Sequence, residues 1–250
     1  MAFLYALPGA VAEGLIWGLM AIGVYISYKI LDIADLTVDG SICTGACVCA
    51  VLIGAGVPVW LSITIAFLAG AAAGVVTGLL HTALGIPSIL AGIITNTGLY
   101  TVNLAAMGFS SNVNMLKTET LFSLLKPVLG TGYKLIPAAL IALAVGLFLI
   151  FFLKTRLGLS LRATGDNADM VRASSINPVF TTTVGLCVAN ALTGLSRCLL
   201  SQSQKSVNID IGSGMVTIAL ASLLIGRTLM GKGGIFHRAV GMVLGAFLFR

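Results

Sequence analysis

GSICTGACVCAVLIGAGVPVWLSITIAFLAGAAAGVVTGLLHTALGIPSILAGIITNTGLYTVNLAAMGFSSNVNML, residues Gly40–Leu116, contains no Asp, Glu, Lys or Arg. A membrane-crossing helix needs roughly 20 apolar residues. The run therefore holds about three crossings and their turns. Charge-poor runs at 14–28, 135–153, 173–196 and 211–226 extend the pattern. A last run starts at Ala239 and stops at Arg250, too short to cross, so the native chain is expected to continue past 250.

Composition agrees. The chain is 58% hydrophobic and 9% charged, with net charge +6. A soluble domain carries about 25% charged residues, so a water-facing globular enzyme is excluded. Glycine is abundant without a Gly-X-Y period, which excludes collagen, and the hydrophobicity excludes disorder. The expected fold is an all-α polytopic transmembrane helical bundle, one domain over 1–250, with about eight hydrophobic segments, the last truncated. The segments are Gly9–Lys29, Leu36–Ala55, Pro58–Leu80, Pro87–Met107, Lys134–Phe152, Pro178–Leu200, Gly214–Leu229 and the run from Ala239. Gly40 and Gly45 in the second, and Gly212 and Gly214 at the seventh, suggest breaks. Between segments, Thr118–Lys126 reads as a short helix stopped by Pro127.

Orientation follows from the Lys/Arg bias. With the N-terminus outside, the inner face holds Lys29, Lys154, Arg156, Arg162, Arg172, Arg227, Lys232 and Arg238. The outer face holds fewer: Lys117, Lys126, Lys134, Arg197 and Lys205. Gly70, Gly74 and Gly78 form a ladder of four-residue steps, and Gly14/Gly18 and Gly241/Gly245 repeat the step. Such spacing lets helix backbones approach closely in lipid. Cys43, Cys47 and Cys49 lie near one another, but His81 and His237 are distant, so they read as packing residues and no metal site is expected.

Few residues carry chemistry. Gly226–Lys232 resembles the start of a P-loop, but Gly233 replaces the Ser or Thr that would hold Mg²⁺, and a membrane segment precedes it. No catalytic constellation appears, and an enzyme is the weakest class. Asn96, Tyr100 and Asn103 share one helix face. With Thr95, and with Asn190 and Thr193 on the sixth segment, they are candidate lining of a translocation pathway, the alternative being interhelical hydrogen bonding. Arg197 is the one charge well inside a segment and is expected to snorkel to the outer interface. Leu159–Ala173 mixes polar and apolar positions and reads as a short helix, or two, lying at the surface, broken at Gly165.

Three blocks resemble one family. They are GLMAIGVYISYKILDIADLTVDGSICTG (Gly18–Gly45), LRATGDNADMVRASSIN (Leu161–Asn177) and ASLLIGRTLMGKGGIFHRAVGMVLGAFLF, ending at Phe249. Together the chain resembles the membrane subunits of ABC importers of the branched-chain amino acid/ribose permease family. Ser175 departs from that family's usual glycine before Ile-Asn, and Arg227 from a second glycine.

The resemblance implies a permease subunit in a bacterial or archaeal plasma membrane. Its partners would be an ABC ATPase, an extracytoplasmic solute-binding protein, a second permease subunit and membrane lipid, with no nucleic acid. No cofactor would bind this chain, ATP and Mg²⁺ being held by the ATPase. A cytoplasmic coupling helix would involve Gly165, Asp166, Asn167, Ala168, Val171, Arg172, Ile176 and Asn177, with Ala168 and Val171 at its apolar tip. The expected solute is an amino acid, with sugars and nucleosides open. The competing class is a self-contained secondary transporter or channel, which would need intramembrane carboxylates or broken helices at the midplane.

Overall fold

A computed structural model describes residues 2–230 together with Gly241 and Gly245. Among them, seven helices are long and apolar enough to cross a membrane: Pro8–Ile30, Thr37–Gly54, Val59–Thr82, Ser88–Ala106, Leu135–Lys154, Pro178–Gln204 and Ile209–Gly226. The fold is therefore the all-α polytopic bundle the sequence implies. The turn Gly231–Arg238 and most of the segment from Ala239 lie outside the described residues. Gly245 of that segment is placed where a Cβ would overlap the Ser222 carbonyl oxygen.

Helix α1 (Ala2–Tyr25) runs on into a wider π turn, Ile26–Ile30, in which Leu31 N–H donates to Ile26 O at 3.0 Å. Helices α2 (Thr37–Gly54), α3 (Val59–Thr82) and α4 (Ser88–Ala106) follow, Pro58 and Pro87 standing just before the last two. Strand β1 (Asn112–Asn114) pairs antiparallel with β2 (Ser206–Asn208). Helix α5 spans Leu121–Leu129. Thr120 caps it, accepting from Ser123 N–H at 3.3 Å, so Pro127 falls within the helix rather than stopping it. Helices α6 (Leu135–Lys154), α7 (Arg156–Asp166), α8 (Ala168–Ala173), α9 (Pro178–Gln204) and α10 (Met215–Met230) complete the described chain.

Helix α9 is the hub, with α1, α2 and α3 packed around it. Its contacts are set by glycine. A Cβ on Gly70 would lie 2.5 Å from Asn190 O, and one on Gly74 would overlap Leu186 O. One on Gly78 would press on Thr183 at 2.8 Å. The glycine ladder of α3 is thus one antiparallel seam along α9. Gly23 of α1 meets Ala189 O, and Gly45 of α2 meets Gly194. In lipid, where burial between helices brings no hydrophobic gain, this closeness supplies the dispersion contact that holds helices together.

Two sequence expectations change and one holds. Helix α2 runs unbroken through Gly40 and Gly45. The seventh segment does break: a tight turn, Ile209–Gly212, and Gly214 at φ 77° precede α10. Arg197 does not snorkel. It is 4% exposed, inside the bundle, with its guanidinium 5.6 Å from the Trp17 ring centre. A delocalised cation on an indole face is a favourable desolvated pairing.

Candidate functional site

The acidic turn before α2 is not a surface loop. Asp35 is buried, and its Oδ2 accepts from Asn190 Nδ2 at 2.7 Å. Asn190 lies near the midpoint of α9. Asn190 Oδ1 in turn accepts from Ser41 at 2.7 Å, and Ser41 meets Thr193 at 3.0 Å. A second chain of bonds runs from α2 to α3 to α4: Thr37 to Thr77 at 2.6 Å, then Thr77 to Thr95 at 2.9 Å. Helix α2 therefore begins deep in the bundle.

A helix start exposes unpaired N–H groups with partial positive charge. Each of these two starts has a carboxylate. Asp35 Oδ1 accepts from Thr37 N–H at 2.9 Å at the head of α2. Asp39 accepts from Gly214 N–H at 3.2 Å and from Val216 N–H at 2.9 Å at the head of α10. Burial pushes the Asp35 carboxyl above its ordinary range, while the bonds from Thr37 and Asn190 pull it partly back.

At the other end of α9, α7 and α8 form a platform. Thr155 caps α7 through Gly158 N–H at 3.2 Å. The break between the two helices is Asn167, at φ −161°, and not Gly165. The Asn167 side chain accepts from Asp169 N–H and Met170 N–H, at 3.1 and 3.0 Å, and so starts α8. Gly165 stays helical because it is a contact: a Cβ there would overlap Ile30 O at the π turn of α1. Leu161 and Thr164 are buried, and Thr164 meets Thr181 of α9 at 2.8 Å. Asp166, Asn167, Ala168 and Arg172 are exposed, and Arg172 pairs loosely with Asp169 at 3.7 Å.

Val171 is buried, which corrects its expected place at the tip. The exposed apolar neighbour of Ala168 is Met170 instead. Ile176 is half-buried. Asn177 accepts from Val179 N–H at 3.0 Å and caps α9, with Pro178 in the first turn. Ser175 turns the chain between them at φ 62°.

The profile of the family described as branched-chain amino acid transport system / permease component matches residues 9–250. The chain belongs to this family. The permease is 34% identical to a tyrosine transport system permease protein of Clostridioides difficile, over 95% of this chain and 78% of that one. It is 33% identical to an uncharacterised protein of Rickettsia prowazekii, over 87% of this chain and 75% of that one. It is 31% identical to an autoinducer 2 import system permease protein of Yersinia enterocolitica, over 84% and 58%. No solved structure matches it. It is a multi-pass plasma membrane protein and a permease component of a transport system.

The candidate pathway residues of the permease divide into two groups. Asn190 and Thr193 are fully buried and bonded within the protomer, as is Thr95. Asn96 is half-buried against Gly40, Tyr100 is 46% exposed, and Asn103 is buried. Asp35, Thr37, Ser41 and Thr77 complete the buried cluster, and sequence reasoning passed over them. Asp35 and Thr37 lie in ADLTVDG, between two apolar runs, where residue type alone does not show burial.

Proposed function

We propose that the permease is the membrane-spanning subunit of an ATP-driven ABC importer. Helices α7 and α8 dock on the ATPase at the cytoplasmic face, and ATP and Mg²⁺ stay on that partner. The β1–β2 end faces outward and receives the solute-binding protein. The observation that supports this reading is the α7–α8 platform. Its inner side is held to α1 and α9 through Gly165, Thr164 and Val171, while Ala168 and Met170 stand exposed among polar flanks.

Helix α4 faces a second permease subunit across the pathway. It is the least apolar of the seven spans and also the least covered. Lipid would select an apolar surface there, as on α6, whose outer side carries Leu140, Leu143, Leu147 and Phe151. Helix α4 exposes Thr97, Tyr100 and Thr101 alongside the apolar Ile89, Leu90, Ile93, Ile94 and Val102. The solute is an amino acid, a reading the tyrosine-transport relative favours.

The test is Ala168→Glu. A carboxylate at the centre of a packed contact loses its water. The variant is expected to insert normally, but to lose the co-purified ATPase and solute-stimulated ATP hydrolysis. A full complement of ATPase with normal uptake would remove the coupling role. A carrier without an ATPase is the second reading, favoured by the buried Asp35. Uptake that survives ATP depletion and stops with a protonophore would select it.

A further inference from the structure

The cap of α10 comes from another helix. An N-cap side chain normally stands just before the helix it serves. Here Gly214 N–H donates to a carboxylate 175 positions earlier in the chain. The turn before α10 lies along the same face of α2. A Cβ on Gly212 would overlap the Asp39 carbonyl oxygen, and the Cys43 thiol donates to Ile209 O at 3.2 Å. Gly214, at φ 77°, is the joint between this turn and the helix. The start of α10 is thus set by α2, through one carboxylate and two N–H groups, at a glycine in the left-handed region.

We propose that Asp39 is a positioning residue for transport: it docks the head of α10 on α2, and this contact sets the closed arrangement of the pathway. This rests on the importer reading above.

The experiment uses the complete transporter in proteoliposomes, with L-tyrosine as the probe. In Asp39→Ala, maximal uptake is expected to fall about fivefold or more, the loss of one cap. KM should hold, and ATP hydrolysis without solute should rise. Asparagine offers one acceptor oxygen where Asp39 uses two, so Asp39→Asn should recover part of the rate. If the alanine variant fails to assemble, Asp39→Leu replaces it in the same comparison, since leucine fills a similar space and accepts no hydrogen bond. A raised KM at unchanged maximal rate would overturn the proposal, because Asp39 would then meet the solute itself. So would an Asp39→Asn variant that assembles yet is as slow as Asp39→Ala, or an Asp39→Ala variant with normal rates. A wild-type complex that neither hydrolyses ATP nor takes up L-tyrosine counts instead against the importer reading, and is seen before any variant is made.

Discussion

At φ 62°, Ser175 occupies backbone space that costs an L-residue about 1–2 kcal/mol and costs glycine little. Ser175→Gly is therefore expected to raise stability by about 0.5–1 kcal/mol, read as a higher unfolding midpoint of the purified protein. Asp35 makes a pH prediction. Its carboxyl is raised above 3.8 in the fold. Its contribution is thus full below that value and is lost as pH rises through the raised one. The unfolding midpoint of Asp35→Asn relative to wild type should therefore climb as pH rises above 3.8. A parallel pH dependence of the two proteins would mean that burial does not raise the Asp35 carboxyl. At this scale the sequence was least legible. The departure at Ser175 was visible, but its cause is a dihedral angle that no residue type displays. Arg197 was read by its charge alone, and a charge does not announce the indole that receives it.

Among the elements, the α3–α9 seam was legible because its cause is local: glycine at every fourth position leaves one flat helix face. Gly74→Leu should separate α3 from α9, since its side chain would enter the space held by the Leu186 backbone. The cost is overpacking of about 1–3 kcal/mol, and loss of folded protein on size-exclusion chromatography checks it. Unchanged yield and stability would put this face towards lipid. The break between α7 and α8 was misplaced by two residues for an instructive reason. Glycine serves turns and close contacts alike, and Gly165 is the second kind, while Asn167 supplies the turn through its own side chain. The platform itself was legible, because polar and apolar residues mix there as nowhere else in the chain.

For the molecule as a whole, the span count followed from the spacing of charges, and orientation becomes clearer once Arg197 is placed. With it withdrawn into the bundle, the Lys and Arg residues of the β1–β2 end among the described residues are Lys117, Lys126, Lys134 and Lys205. Impermeant maleimide is expected to label Lys117→Cys in intact cells, and Asp169→Cys only in inside-out vesicles. The opposite pattern would invert the topology. What the charge pattern could not convey was depth: α2 starts well inside the bundle, and only the tertiary contact to Asn190 reveals it. The α3–α9 seam also has an electrical consequence. From Gly70 to Gly78 the two backbones touch over about 12 Å of helix axis. No thread of water fits where main chain rests on main chain, so protons find no wire along that line. An energised membrane loses its voltage through any such thread, and the missing side chains of α3 act as its insulation.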